Sequence, residues 1–292
     1  MKRAGEGEAG MILVNVLMFV AIASGLVLLL INREELALDR ALRTREAARA
    51  LAVVRGGELS AVVALRRDMV VAPNEDNLTE PWARLSESGA PIEGGTFDLA
   101  IADAEGRFNL NALRAGDAGA IVLFQTIAKD VGLSPDDAVK AITYVRLYGP
   151  ITDIRPLRLA GLDPEATARL ERLVTALPGT TTINLNAADP DMLRILFRDP
   201  LAAQRLAEIR KRNGKLILKD LSDQNLALPW GTSFRSGTFW VRTRATIGGT
   251  SQQAAVLIQR VQHTDGKIAV GVVERWRGAG VPPEAPAFVA GR

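Results

Sequence analysis

An α+β fold built on one very long N-terminal helix is predicted by three features of this chain. An apolar run from Met11 to Ile31 passes directly into an Ala, Leu, Arg and Glu-rich segment without proline. Short alternating segments lie on both sides of a block with helical periodicity. That order, strands then helices then strands again, suggests an all-helical insertion into a single α+β domain.

The N-terminus comes first. Lys2 and Arg3, a short polar stretch and Gly10 precede the apolar run, and Arg33, Glu34 and Glu35 close it. An α-helix needs about 20 apolar residues to cross a hydrocarbon core of roughly 30 Å, and the basic end is expected to stay in the cytoplasm. Residues beyond Asn32 are then expected outside it. A secretory signal has an apolar core of about 7–15 residues with a small-residue cleavage site behind it, and neither matches here. An ordinary signal anchor and a leader cut before the apolar run both remain.

Composition limits the chemistry. Nearly half of the 292 residues (48%) are apolar, enough for one or two cores beyond the anchor. The formal charge of +3 is spread along the chain and makes no case for nucleic acid. The absence of cysteine excludes disulfides, thiolate catalysis and cysteine-based zinc sites. The single histidine, His263, lies in Gln262-His263-Thr264-Asp265-Gly266, which reads as a turn. The sequence has no phosphate loop, nucleophile elbow, His-x-x-x-His pair or recognisable carboxylate pair, so a non-enzyme is expected.

From Arg33 to about Val70 the helix is expected to continue, giving a rod of roughly 80–90 Å of which half projects from the membrane. Ala48, Ala52, Leu59 and Val63 recur at helical spacing and are expected to form its buried stripe, with Arg45, Arg49 and Arg66 solvated and a bend at Gly56-Gly57. Beyond Pro73, Phe97, Leu99 and Ile101 alternate with Asp98 and Ala100 before a turn at Asp103-Ala104-Glu105-Gly106. Asp98, Asp103 and Glu105 match no calcium-loop spacing and read as turn solvation. Asp117 to about Leu226 is helical, with Ser134 as a cap and Pro135 in a first turn. Strands follow at Thr238–Ile247, Ala254–Val261 and Lys267–Trp276, with Gly248-Gly249-Thr250 as a turn. The expected divisions are 1–10 leader, 11–70 helix, 71–116 first part of the α+β domain, 117–226 inserted helices, 227–277 returning strands and 278–292 a loose tail.

Gly10 stands where type IV pilin and pseudopilin leaders are cut, and the chain resembles that class. Further strings narrow the likeness: Asp76-Asn77-Leu78-Thr79-Glu80-Pro81-Trp82-Ala83, Gly106-Arg107-Phe108-Asn109-Leu110-Asn111, Leu159-Ala160-Gly161-Leu162-Asp163-Pro164, Leu177-Pro178-Gly179 and Ile183-Asn184-Leu185-Asn186-Ala187-Ala188. With the Gly10-Met11 junction they resemble the K-type minor pseudopilin family of type II secretion systems. The resemblance implies a pilin-like α+β fold with a large helical insertion. It also implies cleavage by a prepilin peptidase after Gly10, an N-methylated Met11 and an anchor in the bacterial inner membrane with the rest in the periplasm. Its place would be the tip of a pseudopilus, where it initiates assembly and supports protein secretion. The partners implied are I-type and J-type minor pseudopilins, the inner-membrane assembly platform and secreted proteins.

Asn15 would be the fifth mature residue, where most pilins carry a glutamate thought to pair with the N-terminal amine of an adjoining subunit. A subunit without that carboxylate fits the start of a filament better than its repeat. The family's calcium-associated segment is short and nearly acid-free here, at Tyr144 to Asp153, and that argues against calcium; no other cofactor is implied.

A second resemblance competes. Ile183 to Ala188 followed by Ile209-Arg210-Lys211-Arg212-Asn213-Gly214-Lys215 resembles a helix-hairpin-helix module of DNA uptake, which would make the chain an anchored extracytoplasmic DNA receptor. Arg210, Lys211, Arg212 and Lys215 would then face phosphate. The hairpin itself, Phe197-Arg198-Asp199-Pro200, lacks the Gly-x-Gly turn, loses an N–H donor to proline and sets a carboxylate where phosphate would bind, so nucleic acid is an unexpected partner.

Overall fold

The computed structural model describes residues 6–288. Helix α1 (Glu6–Val71) is 66 residues long and runs unbroken through Gly56 and Gly57. A short 3-10 turn at Pro81–Leu85 leads to β1 (Glu87–Ile92) and β2 (Gly95–Asp103), and β3 (Phe108–Asn109) enters the helical part. There α2 (Ala118–Asp130), α3 (Pro135–Tyr148) and α4 (Pro164–Leu170) precede β4 (Val174–Thr175) and β5 (Ile183–Asn184). Next come α5 (Pro190–Phe197), α6 (Pro200–Asn213) and α7 (Leu218–Ser222). The chain returns through β6 (Thr232–Ser233) to β7 (Thr238–Ile247), β8 (Thr250–Gln262) and β9 (Ile268–Arg277).

The main sheet is antiparallel, in the order β1-β2-β7-β8-β9. The helical segment thus leaves after β2 and returns to β7, its direct neighbour in the sheet. The expected α+β architecture with a helical insertion is what forms, and the three returning strands lie where alternation places them. Two small parallel pairs, β3 with β4 and β5 with β6, stitch the base of the insertion.

Helix α1 packs one face on the sheet. Ala61, Leu65 and Met69 meet Leu99, Ile101, Phe239, Val241, Val256 and Ile258, while Ala50 and Val54 meet Ala245, Ile247 and Ala254. This corrects the expected stripe: Ala48, Ala52, Leu59 and Val63 are all exposed. The buried face sits about half a turn round the helix and includes Gly57, Glu58 and Asp68. Two carboxylates on that face make it look polar, which is why apolar spacing alone selects the wrong side. Gly57 is required there, because a Cβ at that position would lie 2.6 Å from the Phe97 ring.

The insertion has a separate core around Phe108, Phe124, Ile127, Val145, Leu170, Leu185, Leu193 and Leu206. The Ser134 hydroxyl accepts the Asp137 N–H at 3.1 Å, so the cap read from the sequence starts α3. The loose tail is corrected over residues 281–288. Pro282 and Ala285 are buried, and the Phe288 ring lies 4.6 Å from the guanidinium carbons of both Arg242 and Arg244. Residues 289–292, together with Lys2, Arg3 and the rest of the leader's first five residues, lie outside the described residues.

Candidate functional site

Two features stand out, an apolar helix with no protein around it and a buried charged joint where helix, sheet and insertion meet. In the first, α1 contains a stretch of mean hydropathy 2.7, long and apolar enough to cross a membrane, none of which is buried. Leu13, Phe19, Leu26 and Leu30 are each about 60% exposed or more. Gly10 and Met11 lie within the helical backbone, and Asn15 is an exposed polar residue on the apolar rod.

Exposure continues past the membrane-length part. Along the outer face of α1, Ala48, Ala52, Gly56 and Ser60 rise at every fourth position beside Leu59 and Val63, which are 63% and 59% exposed. Residues four apart stack on one helix face, so the small side chains leave a shallow track flanked by larger apolar ones. Such a face lets another helix approach closely.

The joint lies at the other end. The Arg260 guanidinium, on β8, donates from Nη1 to Asp68 Oδ2 at 2.7 Å, from Nη2 to Asp76, and from Nε to the Ser236 carbonyl at 3.1 Å. Its central carbon lies 4.6 Å from the Phe239 ring, and Trp82 meets that ring edge-on at 5.0 Å. Trp82 Nε1 and the Asn77 amide both donate to Glu80 Oε2, at 2.7 and 3.1 Å. Burial, partly offset by these bonds, pushes the Glu80 carboxyl up. Carboxylate oxygens of Asp68, Asp76 and Glu80 come within 4.8 Å of one another, a donor set that suits a hard cation. Arg260 already supplies positive charge there, so the cluster makes no case for a metal.

Asn184 carries the joint into the insertion. Its Nδ2 lies 3.0 Å from the Asp76 carbonyl, 2.8 Å from Asp103 Oδ2 and 2.9 Å from Ser236 Oγ. Ser236 in turn donates its hydroxyl to Asp103 and its amide to Asp76. Asp103 and Glu105 are therefore structural groups, which corrects their reading as a solvated turn; Asp98 is likewise buried and paired with Arg244 at 2.8 Å. Desolvation first, and then Asp103, push Glu105 up to about 7, against bonds from Thr238 and Gly237 that favour its charged form. Burial raises Asp103 as well.

The Asn-Leu-Asn strings have a physical role that their family resemblance does not reveal. Asn109 accepts the amides of Asn111 and Leu177 and donates to the carbonyls of Leu177 and Gly179. Asn184 accepts the amide of Asn186, which clamps both backbone groups of Leu216. The same short unit, Asn-Leu-Asn-Ala at 109–112 and 184–187, thus fastens the base of each half of the insertion. That repeated string was the available sequence signal.

The residues of the nucleic-acid alternative do not form one basic surface. Arg210 points inward, donating to the Leu185 and Ala188 carbonyls at 2.7 and 2.6 Å, and burial lowers its pKa. Lys215 pairs with Glu75, while Lys211 and Arg212 are exposed on the last turn of α6. Asp199 caps α6 by accepting the Leu201 and Ala202 amides, so the protein's own carboxylate fills the anion position.

The fold is pilin-like: a long apolar helix laid on an antiparallel sheet, here carrying a helical insertion. The likeness is to Type II secretion system protein K, which spans nearly the whole chain. The protein of that name from Pseudomonas aeruginosa is 28% identical over 320 aligned positions covering 95% of each chain. Its Klebsiella pneumoniae counterpart is 26% identical over 322, covering 93% of this chain and 97% of that one. A chain in the crystal structure of the GspK–GspI–GspJ complex from the enterotoxigenic Escherichia coli type 2 secretion system superposes with a TM-score of 0.61 at 20% identity, covering 82% of this chain and 99% of its own. No family model matches. The resemblance to K-type minor pseudopilins read from the short strings therefore extends over nearly the whole chain in sequence and to the fold.

Proposed function

We propose that this chain is a non-enzymatic minor pseudopilin that begins or caps a periplasmic pseudopilus and thereby supports protein secretion across the outer membrane. The observation that carries this is the unburied apolar helix that continues past membrane length into a track of small residues on the outer face of α1. Before assembly the apolar half is held in the inner membrane; afterwards it packs against helices of neighbouring subunits, exchanging lipid contacts for protein contacts. The insertion adds bulk to one end of the sheet and blocks further addition there. Asn15 supports the same placement, since a first subunit has no preceding amine to neutralise.

The partners are I-type and J-type minor pseudopilins and the inner-membrane assembly platform, with secreted proteins as candidate contacts at the tip. The mature chain starts at N-methylated Met11, after a prepilin peptidase removes residues 1–10.

The test is the mass of the mature N-terminus in cells with and without the peptidase. A methylated Met11 appearing only with the peptidase is the expected result. Retention of Met1–Gly10 in competent cells would remove the pilus reading and leave a permanently anchored periplasmic domain.

A further inference from the structure

The main sheet has two edges, and they are built differently. β1 is short, breaks register between Glu87 and Ala90, turns through Gly89 at φ +60° and contains Pro91, devices that prevent a further strand from pairing. β9 has none of these over its first six residues. Ile268–Val273 carries neither charge nor proline, and its pairing with β8 stays regular as far as Val272.

The direction of its backbone groups follows from the ladder. The Arg260 amide donates to the Gly237 carbonyl on the β7 side, so Arg260 turns its backbone away from β9. Val270 stands directly opposite Arg260 and therefore turns its N–H and C=O outward, away from β8. With a period of two, Ile268 opposite Gln262 and Val272 opposite Ile258 do the same. Three donors and three acceptors thus line the outer edge. Among the described residues only the Arg66 side chain reaches them, with Nη2 3.5 Å from the Val270 oxygen, at the outer limit of a hydrogen bond.

This edge adjoins the exposed face of α1. Arg275 of β9 donates to Glu58 of α1 at 2.6 Å, and Leu59 and Val63 lie just beyond on the outer surface. We infer that β9 is extended by a strand of a neighbouring pilin-like subunit, the same one whose helix packs along Ala52, Leu59 and Val63. A single partner has to cover an apolar helix face and a backbone edge side by side. A subunit built as a helix on a sheet presents a helix and a strand in just that relation. Arg66, displaced from Val270, becomes free to meet a carboxylate on the incoming strand. The inference rests on the filament reading above.

The test is amide hydrogen exchange on the full-length chain in detergent, alone and mixed with purified I-type and J-type pseudopilins. Protection of the Ile268, Val270 and Val272 amides by about tenfold or more in the complex is expected. Val272→Pro, which removes an outward N–H without touching the β8 ladder, is expected to weaken the complex about tenfold. Because that variant also perturbs a half-buried side chain, Ala269→Lys with Val273→Lys provides a second one that alters only exposed positions and is expected to weaken binding likewise. A complex that protects α1 around Leu59 yet leaves the three amides exchanging freely overturns the strand pairing and spares the filament reading. Failure of both siblings to bind overturns both. Protection that rises with the concentration of this chain alone assigns the edge to a second copy and also overturns the inference.

Discussion

Arg260 and Asp68 form an ion pair at 2.7 Å with only 3% and 4% of their side chains exposed, joining the central sheet to the end of the long helix. Asp76 shares the same guanidinium from the loop that follows the helix. Two carboxylates and one cation leave the joint acidic; the Ser236 amide compensates by donating to Asp76, while Asn184 donates to the neighbouring Asp103 carboxylate. Position and orientation of the rod on the sheet therefore depend on charge pairing as well as on apolar contact.

Replacing Arg260 with methionine keeps most of the volume and strands two buried carboxylates. Loss of one partner from such a pair costs about 3–5 kcal/mol. The expected result is a lowered urea midpoint for unfolding of the sheet-bearing domain. Adding Asp68→Asn to the Arg260→Met variant should recover part of the loss, because less uncompensated charge is then buried. An unchanged midpoint in the single variant would show the joint to be solvated.

Glu105 makes stability depend on pH in the direction opposite to a salt-bridged acid. Its folded-state pKa is raised from 4.5 to about 7, so the folded chain holds a proton that the unfolded chain releases. Its contribution is complete below about pH 4.5 and is lost as pH rises through about 7. Over that shift it amounts to about 3 kcal/mol at 1.36 kcal/mol per pH unit. Glu105→Gln should flatten the fall in unfolding free energy between pH 5 and 8, leaving a residual slope in the same direction from the other raised carboxyls, Asp103 and Glu80 among them. Denaturant titrations across that window would show it.

Much of the fold was legible because it depends on local periodicity. Alternation at Thr238–Ile247 and Lys267–Trp276 and the Ser134-Pro135 cap each leave a short-range pattern. The buried side of α1 was not, since Glu58 and Asp68 are buried through Arg275 and Arg260, more than 190 residues away in sequence. The burial of Asp103, Glu105 and the tail leaves no local pattern for the same reason. Their partners Ser236, Thr238, Arg242 and Arg244 come from the stretch of chain that returns after the insertion. The basic residues near α6 illustrate the converse, where one sequence run divides between interior and surface.

Arg210 and Lys211 are adjacent in sequence and should behave oppositely. Arg210→Ala leaves the Leu185 and Ala188 carbonyls without their donor and is expected to cost about 1–3 kcal/mol. Lys211→Ala, at an exposed site, should stay within about 0.5 kcal/mol. Unfolding curves of the two variants separate these outcomes. Duplex DNA binding by the parent that fell in both variants without loss of stability would instead favour the receptor alternative.

Leu59 and Val63 test what the outer face of α1 does. Both are well exposed, so Leu59→Lys and Val63→Lys should change unfolding free energy by about 0.5 kcal/mol or less. A lysine within a helix contact must be desolvated or displace its neighbour, so the same variants should lose co-purification with I-type and J-type pseudopilins and reduce secretion. Gly57→Leu, two residues away on the opposite face of α1, reverses the pattern: it pushes into the Phe97 ring and lowers stability before any partner is involved. If the two lysine variants assemble and secrete normally, the face is ordinary solvated helix and the proposed filament contact is not made there. Coupled loss of assembly with stability retained would locate that contact on Leu59 and Val63 independently of the membrane-length segment.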